Sequence, residues 1–282
     1  MVFSSITFLF YYLPAVMILY LAAPWRMKNI ILLLASLIFY AWGAPEFIIQ
    51  LIVSLVANFF IVRWMCKTEK PVAKKWLCAL SIIISMGLLL FYKYGNFTIN
   101  NISIVSGWLG LEKLSTLNSK LPTILLPIGI SFFSFQSVTY TLDTYRGVNP
   151  PLRKLSDYML YITMFPQLIA GPIVRYKDVA DQLGLRAGST EQFASGVRRF
   201  TVGLAKKVLI ANNLGLLWDV YAARAPETLS VFGAWMGIVA FSLQIYFDFS
   251  GYSDMAIGLG RMLGFEFLEN FNYPYKIGRA HV

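Results

Sequence analysis

Residues Leu243–Gly260 read LQIYFDFSGYSDMAIGLG, a stretch apolar enough for lipid that nevertheless holds two carboxylates. Gln244, Asp248 and Tyr252 recur at i, i+4 and i+8 and share one helix face, while Ser250, Ser253 and Asp254 carry the polarity past Gly251. A charged side chain at the centre of a membrane helix costs roughly 2.5 to 3.5 kcal/mol even on insertion scales, so such a stripe needs partners. Taken singly, Asp248 and Asp254 are expected to be structural carboxylates that bond neighbouring helices or cap a helix starting near Ser253. Taken together, the polar groups predict a functional cavity beside them.

The rest of the chain supplies the membrane. Of its 282 residues, 57% are hydrophobic and only 13% charged, too few to cover one soluble core. Crossing a bilayer takes about 20 residues of helix, fewer where aromatic side chains sit at the interface. Five nearly uncharged runs meet that requirement: Ile6–Ala23, Asn29–Trp42, Phe47–Met65, Trp76–Tyr92 and Leu121–Leu142, with Pro24, Gly43-Ala44-Pro45 and Pro71 punctuating them. Tyr158–Val174 is apolar but interrupted by Pro166, Gly171 and Pro172, which predicts a broken or re-entrant segment. Phe232–Phe249 is a further span, and Met255–Leu263 starts another element. The predicted fold class is all-α, a polytopic helical membrane protein.

Lysine and arginine gather in alternate loops: Arg26 and Lys28, then Lys67, Lys70, Lys74 and Lys75, then Arg146, Arg153 and Lys154. One topology places all three clusters in the cytoplasm and the N-terminus outside. No residue before Arg26 is charged, which argues for a retained first helix and against a secretory leader. The net charge of +10 is then explained by orientation and by attraction to the lipid bilayer. Its basic residues are scattered among loops, so nucleic acid is not expected as a partner. Cys66 and Cys78 border a loop placed inside, where disulfides are disfavoured, and no metal spacing is present.

Weaker signals lie elsewhere. Gln136, Thr139, Thr141 and Asp143 could face a bundle interior. Gly196–Tyr221 places Arg199 and Lys206 seven residues apart on an apolar helix, which suits a helix lying in the interface with its basic side chains snorkelling to phosphates. No nucleophile elbow, phosphate-binding loop or zinc-protease motif occurs.

Several blocks, in order, carry a family resemblance. YYLPAVMILYLAAP, ASLIFYAWGAPEF, LPIGISFFSFQSVTYTLDTYRG, FPQLIAGPIVRY, GLAKKVLIANNLG and above all FDFSGYSDMAIGLGRMLGFEFLENFNYPY resemble the membrane-bound O-acyltransferase (MBOAT) family. The likeness is to its bacterial branch for O-acetylation of alginate and related polysaccharides. It implies a helical bundle around a funnel or tunnel, in the bacterial inner membrane. Through it an acetyl group from a cytoplasmic donor, acetyl-coenzyme A, reaches an extracytoplasmic polysaccharide, directly or by way of a partner acetyltransferase. No bound cofactor or metal is implied. Residue by residue the resemblance covers Phe165, Pro166, Gln167, Gly171, Pro172 and Arg175, then Asp248, Ser250, Gly251, Tyr252, Asp254, Asn270, Asn272 and Pro274. With Gln244 from the stripe, Gln167, Arg175, Asp248, Ser250, Tyr252, Asp254, Asn270 and Asn272 are the candidate residues shaping and polarising the acyl path.

The family's chemistry is carried by a membrane-buried histidine, suited to taking a hydroxyl proton as the acyl carbonyl is attacked. In relatives it lies in an aromatic and arginine-rich stretch beyond NFNYPY. Here KIGRAHV follows instead, so His281 is not a match and is not expected to be catalytic. IGRAHV is what ATC-GGA-AGA-GCA-CAC-GTC encodes, a string resembling sequencing adapter. The expected organisation is a partial membrane domain over residues 1–275 and a non-native tail over 276–282, inactive alone. Without the resemblance, the same polar groups at depth would suit a membrane transporter or a noncatalytic subunit of a polysaccharide-export complex.

Overall fold

A computed structural model describes residues 2–108, 124–168, 171, 174–184, 186 and 188–272. The predicted residues Leu121–Thr123, Pro172, Pro274, His281 and the tail 276–282 lie outside them. Among the described residues the chain is helical throughout, with ten helices: α1 (Phe8–Ala22), α2 (Trp25–Gly43), α3 (Ile48–Lys67), α4 (Pro71–Trp108), α5 (Ile130–Tyr145), α6 (Leu155–Thr163), α7 (Phe165–Leu168), α8 (Tyr176–Gly184), α9 (Thr190–Ala222) and α10 (Val231–Met262). Helices α2, α3, α4, α9 and α10 are long and apolar enough to cross a membrane, and α1 is a shorter apolar helix. Large apolar side chains such as Ile18, Ile49, Trp76 and Phe232 are exposed, as expected where the solvent is lipid.

The chain divides into two compact units, Tyr40–Ile162 and the combination of Met1–Phe39 with Thr163–Val282. In the first, α3 and α4 pack on each other and on α5. A buried polar chain joins them. Ser81 Oγ donates to Asn58 Oδ1 over 2.8 Å and lies 2.8 Å from Thr141 Oγ1, while Asn58 Nδ2 donates to Ser85 Oγ over 3.1 Å. Of the weak polar signals on α5, Thr141 is thus bonded across helices, and Thr139 bonds back to the Gln136 carbonyl. Helix α5 begins at Ile130, and residues 124–129 of the predicted span are not helical. Pro127 biases the preceding residue away from helix, and Gly129 adopts a left-handed φ of 75° at the helix start.

In the second unit, α1 and the first part of α2 meet through Tyr12, whose hydroxyl donates to the Ala35 carbonyl at 2.8 Å, and through an aromatic cluster of Phe8, Tyr12, Phe39 and Phe165. The predicted break is present: α6 ends at Thr163 and the four-residue α7 starts at Phe165, whose backbone N–H is taken up by Ser36 Oγ at 3.1 Å. That bond satisfies a donor freed by the interruption.

Helices α9 and α10 are each capped by a serine: Ser189 Oγ accepts from Gln192 N–H at 3.0 Å and Ser230 Oγ from Gly233 N–H at 3.1 Å. One expectation fails here. The elements predicted as Phe232–Phe249 and Met255–Leu263 are one continuous helix, α10. Interrupting it at Gly251 would strand backbone groups in an apolar setting, and Gly251 is instead packed against α9. Its last turn closes with Phe265 N–H on the Gly260 carbonyl at 2.8 Å and with Gly264 at φ 83°, a left-handed cap that turns the chain back.

Candidate functional site

Helices α9 and α10 lie in direct backbone contact along two pairs of glycines. A Cβ placed on Gly203 would stand 2.6 Å from the Gly251 carbonyl oxygen, and one on Gly258 would stand 2.7 Å from the Gly196 carbonyl oxygen. Gly196 and Gly203 are seven residues apart, as are Gly251 and Gly258, so two turns of each helix present small residues to the other. The pairing of Gly196 with Gly258 and Gly203 with Gly251 makes the helices antiparallel.

This register carries the charges. On α9, Arg199 and Lys206 each follow a glycine by three residues, and on α10 Asp254 lies between Gly251 and Gly258, so all three face the contact. Asp254, 5% exposed, receives Arg199 Nη2 at 2.6 Å on Oδ1 and Lys206 Nζ at 2.6 Å on Oδ2. A nearly buried carboxylate is thereby held by two cations that each keep one edge in an open cleft. The turn at Gly264 returns Glu269 to the same place, where its Oε2 meets Arg199 Nη2 at 2.5 Å and its Oε1 lies 3.9 Å from Arg261.

At Lys206–Ala211 the helix widens to a π-helical turn. Neighbours on a regular helix point about 100° apart, and the widened turn brings both Lys206 and Lys207 onto the α10 side. Lys207 pairs with Asp248, one helical face away from Asp254. The two carboxylates of the stripe therefore have separate lysines.

Two clefts flank the contact. The larger, about 720 Å³, is lined by Arg198, Arg199, Lys206 and Arg261 against Asp254 and Glu269, with Tyr246, Phe271 and Asn272 in its wall. Its lining carries two more cations than anions, so it is suited to an anionic group. The smaller, about 220 Å³, is lined by Gln244, Asp248 and Tyr252 together with Lys207, Ile245 and Phe249. The i, i+4, i+8 stripe thus faces one space.

The candidates named from sequence are distributed as follows. Asp254 and Asn272 share the larger cleft and Gln244, Asp248 and Tyr252 the smaller one. Tyr252 also stacks on Phe3, ring centres 4.5 Å apart. Ser250 is 1% exposed, and its hydroxyl, like that of Ser253, has no hydrogen-bond partner among the described residues. Gln167 is fully buried on α7 and lines neither cleft. Arg175 is exposed and acts through its backbone: its N–H donates to Asp178 Oδ2 at 3.3 Å at the start of α8. Asn270 is exposed and lines neither cleft.

The snorkelling role expected for Arg199 and Lys206 does not hold, because Asp254 takes both. Arg261, Glu269 and Tyr246 were not singled out from sequence. The available signal was the seven-residue glycine spacing repeated on both helices beside Arg199 and Lys206.

The model of the membrane-bound O-acyltransferase family matches residues 98–281, more than half of the chain. "Probable alginate O-acetylase AlgI" of Pseudomonas syringae pv. tomato is 44% identical over 279 residues, covering 98% of this chain and 52% of that protein. The "Peptidoglycan O-acetyltransferase" of Helicobacter pylori is 33% identical over 308 residues, covering 98% of this chain and 56% of that protein. A "Teichoic acid D-alanyltransferase" of Bacillus subtilis is 28% identical over 155 residues, 52% of this chain and 38% of that protein. The chain spans about half the length of the curated relatives it matches over nearly all of its own residues. With a helical membrane architecture and a family match over more than half its residues, the chain belongs to the membrane-bound O-acyltransferase family.

Proposed function

We propose that the protein works in O-acetylation of an extracellular polysaccharide of the alginate type. The acetyl group leaves a cytoplasmic thioester, acetyl-coenzyme A, and reaches a hydroxyl of the polymer or of a partner acetyltransferase outside. In the transfer the acceptor oxygen forms a bond to the acetyl carbon, the thiolate leaves, and the hydroxyl proton passes to a base. The observation that carries this reading is the 44% identity to an alginate O-acetylase over 98% of the chain.

In this reading the α9–α10 pair forms one wall of the acyl path. The cationic cleft around Arg198, Arg199, Lys206 and Arg261 is complementary to an anionic donor, and the Asp254 pairings hold its cations in place. The bacterial inner membrane, with the N-terminus outside, is the location that this direction of transfer and the distribution of basic loops favour.

The test is transfer of radiolabelled acetyl from acetyl-coenzyme A into polymer by membranes containing the whole protein. The expected result is label in ester linkage to the polymer, released by mild alkali, and a rate at least tenfold lower in Asp254→Asn. Label that stays on the donor, with uptake of an intact solute into sealed vesicles instead, would refute the reading and favour a transporter.

A further inference from the structure

A third cleft, of about 470 Å³, lies where α9 begins and α10 ends and is lined by Tyr20, Trp25, Lys28, Arg186, Ser189 and Arg261 among others, with no carboxylate among the described residues of its lining. Arg186 is 8% exposed. Its Nε donates to Tyr20 Oη at 3.0 Å and its Nη1 to the Gln182 carbonyl at 3.3 Å. Its guanidinium lies 4.2 Å from the Phe265 ring centre and 5.2 Å from that of Trp25. It forms no ion pair among the described residues, and its buried Nη2 has no hydrogen-bond partner there. A guanidinium this deeply buried is costly without a compensating anion.

Two further features have the same sign. Lys28 reaches into the cleft over the Tyr20 and Trp25 rings at 4.9 and 5.9 Å. The N-terminus of the 33-residue helix α9 opens on it, with Gly188, Ser189 and Thr190 in its wall, and a helix start attracts negative charge. The remaining walls are aromatic and aliphatic, with Leu21 and Trp25 also exposed outside it. Three cations, one of them a buried guanidinium with no ion-pair partner among the described residues, a helix N-terminus and an apolar wall suit a tetrahedral dianion or monoanion attached to something apolar.

We propose that this cleft is a binding site for a phosphate ester, held by Arg186, Lys28 and the start of α9, with Arg261 at its inner end. Arg261 also lines the larger cleft, donating from Nη1 to Ser195 Oγ at 3.0 Å, so an occupant here lies one side chain from the charged cluster at Asp254. The site stands independently of acetyl transfer.

The experiment measures binding to the full chain in uncharged detergent. The probes are dihexanoyl phosphatidic acid, dihexanoylglycerol as its phosphate-free counterpart, and inorganic diphosphate. Phosphatidic acid is expected to bind at least tenfold more tightly than dihexanoylglycerol. Arg186→Gln should weaken it about tenfold, the scale of one lost charge-assisted hydrogen bond, and Lys28→Gln several-fold. Lys93→Gln, on α4 and not part of the cleft lining, should leave it unchanged. Competition by diphosphate assigns the site to soluble phosphates, and its failure to compete assigns it to a lipid headgroup; both support a phosphate site. Equal affinity for the two lipid probes, or undiminished binding in Lys28→Gln, overturns it. Should Arg186→Gln not fold, the Lys28→Gln measurement decides alone.

Discussion

Replacing Gly203 by alanine adds a single methyl group where α9 meets α10. The new carbon would stand 2.6 Å from the Gly251 carbonyl oxygen and 2.7 Å from Met255 N, whereas ordinary contact begins at 3.4 Å, so the helices must part by roughly 0.8 Å. Lys206 Nζ and Arg199 Nη2 now reach Asp254 at 2.6 Å, and the same displacement stretches both contacts toward about 3.4 Å, which weakens them. Overpacking of this kind costs about 1–3 kcal/mol. Alanine's better helix propensity returns about 0.5–1 kcal/mol, leaving a net loss centred near about 1 kcal/mol, to which the weakening of the ion pairs adds. Gly87, in the interior of α4, is the matched control, since a Cβ there meets nothing within 4 Å; Gly87→Ala should stabilise slightly. Thermal unfolding in lipid nanodiscs, followed by tryptophan fluorescence, reads both. A Gly203→Ala protein as stable as the wild type would show that the helices are not in backbone contact, and the charge register built on that contact would fall with it.

Asp254→Asn keeps the shape but leaves Arg199 and Lys206 facing each other across a neutral amide. Because both cations are about 30% exposed, the loss should be about 2–3 kcal/mol, below that for a fully buried pair, and adding Lys206→Met should recover part of it in a double-mutant cycle. Lys207→Met should change the unfolding midpoint far less, by under about 1 kcal/mol, because its partner Asp248 is 46% exposed. In the other unit, Asn58→Leu removes the link between Ser81 and Ser85, leaving Ser81 only its Thr141 contact and Ser85 without its amide partner, so chemical denaturation should report a loss of about 1–3 kcal/mol; a neutral result would mean that water replaces the amide.

The sequence by itself determined the membrane class, the all-helical architecture, the break around Pro166 and the family, because apolar runs, Pro and Gly interruptions and a long ordered block are local or linear properties. It also placed Gln244, Asp248 and Tyr252 on one face, since helical periodicity fixes that without any neighbour. Only the tertiary structure decided what the charges do. Asp254 chooses between capping a helix and pairing across one according to which backbone lies beside it, and Arg199 and Lys206 snorkel or pair for the same reason. Glycine's missing side chain sets that distance, and its effect exists only when a second helix arrives at the matching register. The continuity of α10 through Gly251 has the same origin: a residue that weakens an isolated helix is the one that lets two helices close on each other.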